Sequence, residues 1–428
     1  MKNIKQIILL GFIFIVTLIF ISNSAFAAFS TSDLEGTWYG HGLMPQSGNN
    51  GAWVYNTITI DNQGNLTAHN TESDGSTDTA SGTMSITSGG IITFVENPSV
   101  HGVMNSDKNV VVFTASYDPG EYAMQVVIKQ SGTFSQSDLT GTWYVHQLDA
   151  VDDWTYGTVT VDSSGNWSFT GQNSDNESPT DSGTIAITPG GIVTLGGQPS
   201  SHGAMSSDKK MIAMTITFGT DHVLAVFNKG VGSFTLPDLE GLWYGHTLCV
   251  GDWYGWEYST ITIDDSGHAS GPITDSDGGA GSVSATLSIA GNGEITTTDN
   301  ITTHGVLSLG KNIMAFTETG TTTNEYRMSV IVKASPVADF SATPLTGNKP
   351  LEVFFTDSST GEISSWSWDF GDGSTSTEQN SSHTYSDKGK YSVSLTVTGS
   401  EGSDVETKTN YIDVKSPGMS WLPILLDE

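Results

Sequence analysis

DLEGTWYGHGL at residues 33–43 returns as DLTGTWYVHQL at 138–148 and as DLEGLWYGHTL at 238–248. Each copy carries a Trp, a Tyr directly after it and a His two residues later, in a stretch that reads as one β-strand. Side chains alternate across a strand, so Tyr39, His41 and Leu43 share one face while Trp38 points to the other. A pocket built jointly by Trp38 and His41 would therefore need a bulge. The simpler reading has Trp38 plugging a core, and leaves open which side of the sheet at His41 is wet.

Working outward, more landmarks recur in register. Phe29, Phe134 and Phe234 each stand seven positions before Gly36, Gly141 and Gly241. W-x-Y triplets follow at Trp53 and Tyr55, Trp154 and Tyr156, and Trp256 and Tyr258, then alternating apolar runs that stop at the D-x-x-G turns 61–64, 162–165 and 264–267. The H-G pairs at 101, 202 and 304 precede two apolar strands that end near Lys129, Lys229 and Lys333. Successive tryptophans lie 105 (143 − 38) and 100 (243 − 143) residues apart, so insertions belong in loops. Repetition on this scale marks a duplicated structural unit.

Within a copy the period is that of strands, with breaks at Gly, Asn, Asp and Pro and no competing helical stretch. The first copy predicts about eight strands, over 37–43, 54–61, 65–70, 79–87, 91–96, 99–104, 109–117 and 122–130. The fold class expected is all-β: three tandem antiparallel repeats, barrel-like because closure removes exposed edges, with sandwich or propeller as alternatives. The organisation expected is a signal peptide over 1–27, repeats over 28–132, 133–232 and 233–334, a further domain over 335–416 and a tail over 417–428.

That fifth segment differs in kind. Pro336 and Phe340, the W-D-F-G-D-G core at Trp368–Gly373, H-T-Y at His383–Tyr385 and the alternating Tyr391, Val393, Leu395 and Val397 closely resemble the PKD domain family. The resemblance implies an immunoglobulin-like sandwich that serves as an extracellular spacer or as a protein and glycan contact module. Its acidic turn, Asp369 to Asp372, is expected to hold a hairpin through side-chain to backbone hydrogen bonds. The G-x-W start of each repeat also resembles, over four residues, the opening of lipocalin and avidin barrels.

Composition narrows the function. The chain of 428 residues has 15 basic and 46 acidic residues, a formal net charge of −31. Such a surface repels phosphate backbones and anionic lipid, which argues against nucleic acid as a partner. Lys2 and Lys5, the apolar run Ile7–Ile21 and the triplet Ala25-Phe26-Ala27 read as a cleaved bacterial export signal, and no later stretch is long and apolar enough for a membrane helix. The single Cys249 cannot form an internal disulfide and reads as a small buried hydrophobe.

No G-x-S-x-G or H-E-x-x-H motif is present, so no catalytic residue and no metal ligand is assigned. Early and late histidines of one copy meeting across the sheet would be one route to a metal. Acidic loops such as TESDGSTD (71–78) suit weak Ca²⁺ binding, the single cofactor considered. Flat aromatics beside the most length-variable loop are the ligand candidates: Trp53, Tyr55, Trp154, Tyr156, Trp253, Trp256 and Tyr258, with core packing as the competing reading. The expectation is an exported, non-catalytic protein of the bacterial surface or extracellular space, with the periplasm as alternative. Three repeats would contact glycan or protein as multivalent or spacer modules. Alternatives are a secreted polysaccharide-active enzyme or its accessory subunit, and small-ligand barrels.

Overall fold

The computed structural model describes residues 29–45, 51–117, 121–230, 232–298, 302–320, 324–399 and 401–416. The expected signal peptide and the tail lie outside the described residues. Each repeat is a closed eight-stranded antiparallel barrel, which decides against both the sandwich and the propeller. In the first, β1 (Gly36–Met44), β2 (Ala52–Ile60), β3 (Asn65–Glu72), β4 (Thr77–Ile86), β5 (Ile91–Phe94), β6 (His101–Met104), β7 (Val110–Ser116) and β8 (Tyr122–Lys129) pair in chain order, and β8 returns to β1. Strands β9 to β16 form the second barrel from Gly141 to Lys229, and β17 to β24 the third from Gly241 to Lys333.

One feature was not read from the sequence. A single helical turn precedes the first strand of each barrel, at Thr31–Leu34, Gln136–Leu139 and Leu236–Asp238. It starts where Asp33 accepts from the Ser30 backbone N–H at 2.8 Å, and Asp138 and Asp238 do the same in their copies. The turn ends at the glycine of the Gly-x-Trp phrase. Gly36, Gly141 and Gly241 have φ of 130, 122 and 121°, a region that side chains with a Cβ rarely enter.

This corner seats the plug. Trp38, Trp143 and Trp243 are fully buried, and each indole N–H donates to the helix-turn carbonyl of Leu34, Leu139 or Leu239 at 2.7–2.8 Å. Lys129, Lys229 and Lys333 lie over the indole rings at 5.1–5.5 Å, which gives the recurring lysine its role. The D-x-x-G turns also behave as read: Asp61 accepts from the Gln63 and Asn65 backbone N–H groups, and Gly64 supplies a φ of 85°.

Trp38 and His41 do point to opposite faces, and neither face is wet. Trp38 faces the barrel interior, whereas Leu43 belongs to a cluster that also holds Trp53, Trp154, Leu148, Leu248, Val250 and the outward faces of the last two strands of all three barrels. The barrels therefore share one core. They are not structurally independent modules. Cys249 is buried in this assembly, and burial pushes its thiol well up.

The C-terminal unit, described by itself, is a β-sandwich. A three-stranded sheet (Phe340–Thr343, Leu351–Asp357, Ser381–Tyr385) packs on a five-stranded one around Phe340, Val353, Phe355, Trp368, Tyr385, Val393, Leu395 and Val397. Its acidic turn has the expected job. Asp369 accepts from the Gly371 N–H at 2.8 Å and Asp372 from the Ser374 N–H at 3.0 Å, while His383 bonds the other Asp372 oxygen at 2.7 Å.

Candidate ligand groove between the second and third barrels

Each barrel presents the outward face of its first two strands to the last strands of the next. The recurring histidines mark these seams. His41 Nδ1 faces Thr215 Oγ1 at 3.5 Å, His146 faces Thr317 at 3.1 Å, and His246 of the third barrel returns to Thr114 of the first at 3.1 Å. The three seams thus form a closed cycle. Each of these threonines is the strand partner of a late histidine, His202, His304 or His101. Early and late histidines do come together, but across copies rather than within one. Burial, and secondarily the facing late histidine, lowers His41, His146 and His246 to about 3, so all three stay neutral.

The W-x-Y triplets are the second element of every seam. Trp53 donates to Thr217 Oγ1 at 2.7 Å, Trp154 to Thr319 at 3.1 Å and Trp256 to Ser116 at 2.8 Å, each across a barrel boundary. All three indoles are buried, so they are packing residues and not the open stacking platforms expected from sequence. The tyrosines lie on the late histidines: Tyr55 on His202 and Tyr156 on His304 at 4.0 Å between ring centres, and Tyr258 on His101 at 4.5 Å. Trp253 is half-buried and covers Gly255, where an added Cβ would sit 2.5 Å from the indole.

Of the sequence candidates, Tyr156 alone lines the groove of about 500 Å³ at the seam of barrels two and three. Barrel two contributes Tyr144, Tyr156, Thr158, Thr170 and Gln172 to it, and barrel three contributes Glu294, Thr296 and His304. Its polar atoms are pre-set. The Tyr156 hydroxyl donates to Gln172 at 2.9 Å, and Asn292 donates to the Tyr144 hydroxyl at 2.9 Å. Burial lowers His304 while the nearby Glu294 opposes that shift.

Sequence reasoning missed Glu294. It pairs with Val306 on the edge of its barrel, the place taken by Ile91 opposite Val103 and by Ile192 opposite Ala204. Ile91 packs against the shared core, whereas Glu294 is exposed at the groove rim. The signal was available as the single acidic residue after the G-G or G-N-G hairpin of the three copies. It carried no meaning until the seam gave that position a neighbour.

Comparison with known proteins bears mainly on the C-terminal unit. The PKD domain family model matches residues 333–414. The PKD1 domain of the Vibrio cholerae metalloprotease PrtV is 38% identical over 18% of this chain and 98% of that one, with a TM-score of 0.17. Residues 333–414 are thus a PKD domain. The PKD1 domain of Vibrio anguillarum Epp is 35% identical over 19% of this chain and 96% of its own, with a TM-score of 0.17. Transferrin binding protein B from serogroup B Neisseria meningitidis matches at 8% identity over 70% of this chain and 77% of its own, with a TM-score of 0.23. No curated protein matches the chain by sequence. None of these matches bears on the lipocalin and avidin likeness.

Proposed function

We propose that this is an exported, non-catalytic binding protein of the bacterial surface or extracellular space. Its three barrels act as one rigid head, and the PKD domain serves as a spacer or contact module. The observation that carries this reading is the groove at the seam of barrels two and three, where aromatic walls meet pre-set hydroxyl and amide groups in a volume typical of small-ligand sites. Glycan or an extended peptide suits such a surface. Among the described lining residues Glu294 is the single carboxylate, whereas cleavage of a glycosidic bond by the usual route uses a pair; this supports binding over hydrolysis.

The test is a glycan and peptide array probed with the mature chain and with Glu294→Ile, each with and without Ca²⁺. The substitution installs the residue that the sister seams carry. The expected result is a specific hit that weakens at least about tenfold in the variant while its melting temperature is kept. A hit untouched by the substitution would move the site elsewhere, and no hit at all would leave only the spacer role.

A further inference from the structure

The groove's charge points to its ligand class. Glu294 is the one formally charged group of the lining among the described residues, because His146 and His304 are held neutral by burial. It has no ion-pair partner among those residues, and its field reaches Tyr144, Tyr156 and His304. A carboxylate left without a cation beside two tyrosines is a receptor for a positive group, since tyrosine faces also attract cations. The net charge of −31 draws cations toward the protein at long range. Thr158 and Thr170 add neutral hydrogen-bonding groups along the barrel-two wall, which an aliphatic amine alone would leave unused, while Gln172 already accepts from Tyr156 and donates to Asn176.

We propose that the groove takes a sugar carrying a free amine, with the ammonium on Glu294, the ring against Tyr156 and the hydroxyls on Thr158 and Thr170. This rests on the groove being the binding site. It explains why one seam alone has exchanged isoleucine for a carboxylate: the exchange removes an apolar filler and installs the countercharge in one step. A neutral saccharide would gain from the carboxylate only hydrogen bonds from its hydroxyls and no ion pair, and an anionic one would be repelled.

The test is calorimetric titration of the mature chain at low salt with three probes: a β-1,4-linked glucosamine trisaccharide, its fully N-acetylated counterpart, and trilysine. The expected result is binding of the free-amine sugar, at least about tenfold weaker binding of the acetylated one, and a similar loss in Glu294→Gln with Glu294→Asp retaining part. Equal affinity for the acetylated sugar, or no effect of Glu294→Gln in a variant that melts like the parent, would overturn the proposal. Tighter binding of trilysine would also overturn it, in favour of a peptide amine. If no probe binds while the array hit remains sensitive to Glu294→Ile, the amine assignment falls and the groove stands. If the array hit is also insensitive, both fall.

Discussion

The seam between barrels two and three and the seam between barrels three and one are built on the same frame and end differently. Both bury a tryptophan with its indole N–H bonded across the boundary, both hold a neutral histidine on a threonine, and both lay a tyrosine on a second histidine. One then carries Ile91 and the other Glu294. The frame is what packing demands of all three copies. Function, on our reading, lives in the residue that packing does not need.

The sharpest way to strain the shared frame is acid. His41, His146 and His246 have folded-state values of about 3 against an ordinary 6.5, so the unfolded chain binds their protons first. Their contribution is complete above pH 6.5 and is lost as the pH falls from 6.5 toward 3. Three such groups remove about 4 kcal/mol per pH unit in that window. Thermal melts from pH 7.5 to 4.5 should show a steep fall that flattens in part in His146→Gln. A flat profile would mean that the seams are wet.

Next in size, Trp154→Ala and Trp256→Ala should each cost about 3–5 kcal/mol by denaturant titration. Comparable losses would show that the two seams are equivalent as packing; a much smaller loss at Trp154 would show that the groove has already loosened its seam. The second repeat alone, residues 133–232, would expose Trp154 and the outward faces of its last strands. It should self-associate or fail to fold when examined by size exclusion and near-ultraviolet circular dichroism. Asn228 faces the shared core where Ile128 and Val332 stand in the sister barrels, and neither of its amide atoms bonds a protein group among the described residues. Asn228→Val should stabilise by about 1–2 kcal/mol. The smallest effect is expected from Glu294→Ile, a gain of up to about 1 kcal/mol from partial burial of the added apolar surface.

Much of the barrel was readable. The alternation in DLEGTWYGHGL put Trp38 on one face and His41 on the other, and eight strands of the first copy fall close to their expected places. What could not be read was the second buried face. Alternation tells that a strand has two sides, but which surface covers the outer one depends on residues some 170 positions away, as with His41 and Thr215. A clue was present in VVVFTA at 110–115 and MIAMTI at 211–216, where the apolar run does not alternate and every residue is buried. Unbroken runs of that kind belong to strands covered on both sides. The PKD domain was legible throughout, because its motif residues are also its core and its turn.

The cycle of seams has a consequence for ancestry. A face that always meets a different face on its neighbour leaves one sticky surface at each end of any incomplete series, and such contacts are satisfied only when the rotation closes. Two copies in one chain would leave a tryptophan-bearing flank without a cover, and a fourth would have no place to dock. A chain holding one copy could cover the same flanks as a ring of three separate subunits. Copy number here is thus set by geometry, and fusing such subunits into one polypeptide frees each seam to diverge by itself, which is what an isoleucine in two of them and a glutamate in the third records.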